Sequence, residues 1–144
     1  MFLTDAWKSD TPFNPESRLL RRFLLGNAAF STLTGTICLV DAAPLTQAFG
    51  IPDPTLLPGL GVQLLLFAAA IIWIATRQEI STRLAWGIIA LDIGWVAGSI
   101  ALLPFVTGML TSAGITAMVL VAFGVATFAS GQIAGVKRLS QQTA

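Results

Sequence analysis

Read for polarity alone, the chain alternates polar stretches with four continuous apolar runs. They extend from about Phe23 to Val40, Leu57 to Thr76, Leu84 to Leu103 and Leu110 to Val136. A helix needs roughly 20 apolar residues, at about 1.5 Å each, to cross about 30 Å of hydrocarbon. The pattern therefore predicts an all-α protein, a bundle of four transmembrane helices. Asn14-Pro15 has the chemistry of an N-cap and first helical residue. The 42–55 connection, "AAPLTQAFGIPDPT", holds three prolines and reads as a loop with room for one short surface helix. "PFVTGM" turns the chain between the third and fourth runs. The expected organisation is a tail over 1–22 that includes the start of the first helix, a bundle over 23–136, and a tail over 137–144.

On a helical wheel of about 100° per residue, the third run puts Asp92, Trp95, Val96 and Ser99 on one face. Ala90, Gly94, Gly98 and Ala101 lie almost opposite, a ridge of small residues that lets another helix approach closely. With both faces calling for protein, this span is expected to be the most enclosed. Gly131 and Gly135 form a second close-packing pair in the fourth run. The first run carries a polar stripe of Asn27, Ser31, Thr34, Cys38 and Asp41. Counted as depth from one membrane edge, Asn27 and Gln132 lie at about 7 Å, Asp92, Ser31 and Thr127 at about 13–15 Å, and Gln63 and Ser99 at about 21–24 Å. Three polar layers are expected. For Asn27, Gln63 and Gln132 the first reading is interhelical hydrogen bonding, worth well under about 1 kcal/mol per bond.

Composition narrows the class. The chain has 144 residues, is 55% hydrophobic and 10% charged, and has a mean hydropathy of +0.80. Soluble domains carry roughly a quarter charged residues. Transmembrane β-barrels need alternating polarity and aromatic girdles, whereas these runs are continuous and Tyr is absent. A net charge of +1 without a basic aromatic cluster gives no footprint for nucleic acid. With no His and a single Cys, the chain cannot build a bis-His haem, a His-based zinc site, an internal disulfide or a CxxC pair. No cofactor and no metal is expected, and with no nucleophile–base pair or phosphate-cradling loop, no enzyme.

The charges orient the bundle. Lys8, Arg18, Arg21 and Arg22 precede the first run, Arg77 and Arg83 lie between the second and third, and Lys137 and Arg138 follow the fourth. All fall on one side, so both termini and the 77–83 loop are expected in the cytoplasm. Val40-Asp41-Ala42 has the outline of a signal-peptidase site, but a long polar region precedes it and Asn27 interrupts the run, which weighs against cleavage. Ile37 stands before Cys38 where a lipoprotein site wants a small residue. In the first twenty residues Phe2, Trp7 and Phe13 mix with both charges, reading as a tail on the headgroups or, second, a docking segment for a partner.

Asp92 is the odd residue. A charge at mid-span costs about 2.5–3.5 kcal/mol on insertion scales, and intramembrane carboxyls mark proton or ligand sites. No Lys or Arg shares its depth. It is expected as a neutral acid donating to the first or fourth span, either a structural clasp or the site itself. The ligand or proton-binding candidates are Asp92, Trp95, Ser99, Ser31, Asn27, Gln63 and Gln132. The packing candidates are Ala90, Gly94, Gly98, Gly131 and Gly135.

The succession "LLRRFLLGNAAFS", "GLGVQLLLFAAAIIW", "RLAWGIIALDIGWVAGS" and "GQIAGVKR" resembles the small four-span bacterial inner-membrane proteins, and more loosely the DoxX-like group, over about residues 18–139. That resemblance implies a multi-pass inner-membrane protein and, for the DoxX-like group, a membrane partner of redox systems. The function expected is a non-enzymatic accessory or assembly subunit, or a binder of a lipophilic small molecule within the bundle. The alternative is an oligomeric proton-coupled transporter or channel using Asp92, because four short spans are expected to enclose almost no cavity on their own. The expected partners are the lipid bilayer, another membrane protein or further copies of the chain.

Overall fold

The computed structural model describes residues 17–143, so Asn14-Pro15 and the aromatic tail lie outside the described residues. The chain forms α1 (Arg18–Val40), α2 (Ala42–Phe49), α3 (Leu56–Ala75), α4 (Thr82–Val106) and α5 (Ser112–Thr143). Among the described residues there is no strand, and α1, α3, α4 and α5 are each long and apolar enough to cross a membrane. The helix of the fourth run continues past Val136, and α5 reaches Thr143 within the expected tail, since "KRLSQQT" contains no helix breaker.

Each boundary has local chemistry. Ser81 caps α4, its Oγ accepting from the Leu84 N–H at 3.3 Å. The short α2 ends at Gly50, whose φ of 71° is the left-handed conformation that glycine adopts without steric cost. The α2 terminus then sits on the start of α5. Thr111 donates its N–H to the Phe49 carbonyl at 3.0 Å and its hydroxyl to Ala48 at 2.6 Å. In the 51–55 connection Asp53 accepts from both the N–H and the hydroxyl of Thr55, which holds its carboxyl below the usual range.

The spans pack in the order α3, α1, α5, α4, which is not their order in sequence. α1 is the central helix, with Leu20, Leu24, Asn27, Ala28, Ser31 and Gly35 buried along it. This corrects the expectation that the third span, α4, is the most enclosed. The α4 stripe facing inward is Ala85, Ile88, Ile89 and Asp92. Its rotation turns the opposite ridge outward: Ala90, Gly94, Gly98 and Ala101 are exposed, and a Cβ built on Gly94 or Gly98 meets nothing within 4 Å.

Close packing falls elsewhere. A Cβ on Gly35 would stand 2.9 Å from the Gly61 carbonyl, and one on Gly61 would stand 2.7 Å from the Gly35 carbonyl. These two glycines let α1 and α3 cross backbone to backbone. Gly131 and Gly135 of α5 face α1, where added Cβ atoms would run into the Phe23 ring and the Leu20 backbone. Leu66, Phe105 and Phe123 are among the large side chains that point out, 68–76% exposed, as a surface solvated by lipid chains requires.

Candidate functional site

Two halves of the bundle differ in how they are filled. Around the 76–81 loop, Leu20, Leu24, Ile71, Ile74, Ile88 and Val136 form a continuous apolar core. Beyond Asn27 the helices part and leave a cavity of about 550 Å³. Its walls are mostly apolar and aromatic: Phe30 on α1, Leu64 and Phe67 on α3, Leu91 and Trp95 on α4, Val121 and Val125 on α5. α3 and α4 barely touch although they are consecutive. The exposed residues Gln63 on one side and Ala90, Leu91 and Gly94 on the other form the lips of an opening toward the lipid. The expectation that four spans enclose almost no cavity is therefore corrected: one chain suffices, because two neighbouring helices diverge.

The polar groups meet at the floor of this cavity. Asn27 donates from Nδ2 to Asp92 Oδ2 at 2.7 Å, and Gln132 donates from Nε2 to the same oxygen at 3.2 Å. Ser31, one turn along α1, donates to Asn27 Oδ1 at 3.4 Å. That contact turns the amide so that its N–H groups face the carboxyl. Asn27 and Gln132 are fully buried, and Asp92 is 2% exposed. The clasp joins the first and fourth spans to the third, as the sequence suggests, but with reversed polarity: the carboxyl accepts rather than donates. The separate layers for Asn27 and Gln132 and for Asp92 also merge, because α1 begins at Arg18 and α5 runs on to Thr143, so both amides lie farther from their helix ends than a count from Phe23 and Val136 gives.

The remaining candidates scatter. Thr34 and Gln63 line the cavity farther along, Trp95 forms part of its wall, and Ser99 is half-buried outside it. Thr127 is exposed and bonds back to the Phe123 carbonyl at 2.9 Å, so it contributes nothing to the polar floor. The wheel gives Thr127 a depth but not a direction. Two atoms of the cluster keep unused capacity. Gln132 Oε1 is buried without a hydrogen-bond partner among the described residues. Asp92 Oδ1 takes part in no hydrogen bond there either, while Asp92 lines the cavity. Among the described residues no three His, Cys, Asp or Glu side chains could share a metal ion.

This geometry predicts a sharp difference between two substitutions. Asp92→Asn keeps an oxygen to accept from both amides and is expected to fold with little change. Asp92→Leu strands the Asn27 and Gln132 donors in an apolar interior and is expected to cost about 2–3 kcal/mol. Thermal unfolding in mild detergent measures both, and equal stability of the two variants would contradict the clasp.

The filled half of the bundle contains a residue that sequence reasoning counted only as a topology charge. Arg21 is 6% exposed and forks across the end of α3. It donates to the carbonyls of Ala75, Arg77 and Gln78 and to Ser17 Oγ at 2.9 Å. Carbonyls at a helix C-terminus lack intrahelical donors and carry the negative end of the helix dipole, so a buried cation fits there. Beside it the Arg77 guanidinium lies 3.9 Å above the centre of the Trp73 ring. No family model, no curated protein and no solved structure matches this chain.

Proposed function

We propose that this multi-pass membrane protein holds a lipophilic small molecule in the cavity between α3 and α4, without transforming it, in the bacterial inner membrane. The observation that carries the reading is the combination of a laterally open apolar cavity with one polar pole. Ligand sites commonly occupy about 300–1,000 Å³ and pair apolar walls with a few placed polar groups. This cavity, at about 550 Å³ with Asp92, Asn27 and Ser31 at one end, has those proportions.

Gly94 provides the test, because it lies on the cavity wall with open space where a side chain would stand. Gly94→Phe is expected to block the opening of the cavity while leaving the unfolding temperature near that of the wild type. Native mass spectrometry from mild detergent should detect a bound small molecule on the wild type and none on the variant. Identical spectra for the two proteins would remove the reading.

The orientation follows from the one-sided placement of Lys and Arg, with both termini and the 76–81 loop in the cytoplasm. Single cysteines from Thr55→Cys, Gln78→Cys and Thr143→Cys, in a Cys38→Ser background, check it. A membrane-impermeant thiol reagent added to whole cells should label position 55 alone. Labelling at 78 or 143 in intact cells would reverse the topology.

A further inference from the structure

We infer that the occupant of the cavity is an amphiphilic cation, held by Asp92 Oδ1 between the aromatic side chains of Phe30, Phe67 and Trp95. This inference rests on the cavity being a ligand site and specifies the chemistry that fits it. Two amide donors from different helices converge on Asp92 Oδ2, and Ser31 fixes the Asn27 amide in its donating orientation. The clasp is thus built around an acceptor. Its second oxygen has no hydrogen-bond partner among the described residues and belongs to a cavity-lining side chain.

Among the described residues nothing basic competes for that oxygen. Arg18, Arg22, Arg77, Arg83, Lys137 and Arg138 lie toward the other end of the spans, and Arg21, the buried one, is engaged by backbone carbonyls. A buried carboxyl without a counter-charge takes up a proton, and a cationic ligand supplies the counter-charge that lets it stay ionised and paired. Aromatic faces add attraction for a cation, most strongly for Trp and most effectively away from water. Asp92 stands ten residues into α4, about 15 Å from its start, near the depth of the bilayer midplane. A glycerolipid headgroup does not reach that depth, so the occupant is a separate molecule that enters through the opening between α3 and α4.

A dye pair separates charge from shape. Nile blue and Nile red share one fused ring system, cationic in the first and neutral with a carbonyl in the second. Each is titrated against the full chain in lipid nanodiscs, with saturable fluorescence change as the readout and Gly94→Phe as the blocked-opening control. Nile blue should bind the wild type at least tenfold more tightly than Asp92→Asn, and Nile red should bind both proteins weakly and alike. Trp95→Leu keeps the carboxyl and supplies an independent variant, expected to lose Nile blue affinity severalfold more than Nile red affinity. Preferential binding of Nile red, or equal Nile blue binding by the wild type and Asp92→Asn, would overturn the cation while leaving the cavity a ligand site. If neither dye shows saturable binding that Gly94→Phe abolishes, the cavity reading falls along with the cation.

Discussion

Gly61→Leu is expected to be among the most damaging single changes in this protein, with a loss of about 3 kcal/mol or more. The position has no spare volume: its added Cβ would lie 2.7 Å from the Gly35 carbonyl and 2.8 Å from Leu39 Cγ. The first obstacle is backbone, which no rotamer change can move aside, so α1 and α3 must separate along their crossing. Overpacking usually costs about 1–3 kcal/mol when side chains can adjust, and here they cannot. Even Gly61→Ala should destabilise measurably, and Gly35→Leu should reproduce the effect from the other helix. Gly98→Leu sets the contrast. A Cβ there meets nothing within 4 Å, and the change should stay within about 0.5 kcal/mol. Unfolding of the four variants in one detergent measures the series. Equal losses at Gly61 and Gly98 would contradict the packing order of the helices.

Removing the Arg21 guanidinium is expected to be comparably severe. Arg21→Ala withdraws charge-assisted hydrogen bonds from three carbonyls at the end of α3 and in the loop after it. Hydrogen bonds to charged groups contribute about 1.5–3 kcal/mol each. Water near the membrane edge can replace part of that, which leaves a loss of about 3 kcal/mol. Arg21→Lys should recover a minor share, since an ammonium cannot reproduce the planar fork that reaches several acceptors in fixed directions. Proteolysis within 76–81 provides a local readout, with faster cleavage of the alanine variant than of the lysine variant. Wild-type-like stability of Arg21→Ala would reduce the residue to a topology charge.

The pattern of apolar runs was enough to find four spanning helices, because length and continuity are one-dimensional properties. Which helix touches which is not. Small residues at four-residue spacing read the same on α4, where Ala90, Gly94 and Gly98 face outward, as on α5, where Gly131 and Gly135 meet α1. A wheel identifies two faces of α4 but cannot say that Asp92, drawn to Asn27 and Gln132, turns the other face away from protein. Gly35 and Gly61 escaped notice because each supplies a single close approach, and their pairing exists only across two helices. Asp92 stood out by its isolation among apolar residues. That its carboxyl would accept from two amides depended on partners 65 and 40 positions away. The cavity was illegible for the same reason, since it results from the divergence of α3 and α4.

The order α3, α1, α5, α4 also constrains how the protein is made. A chain emerging from a ribosome delivers its spans one at a time, and α1 with α3 can join through Gly35 and Gly61 as soon as both are in the bilayer. α4 comes next and finds little beyond Asn27 to hold, because its neighbour in sequence is not its neighbour in space. Its carboxyl enters the hydrocarbon before Gln132 has been synthesised. Only the last helix packs against both α1 and α4, so a nascent protein halted before α5 contains one paired unit and one loosely held, acid-bearing span.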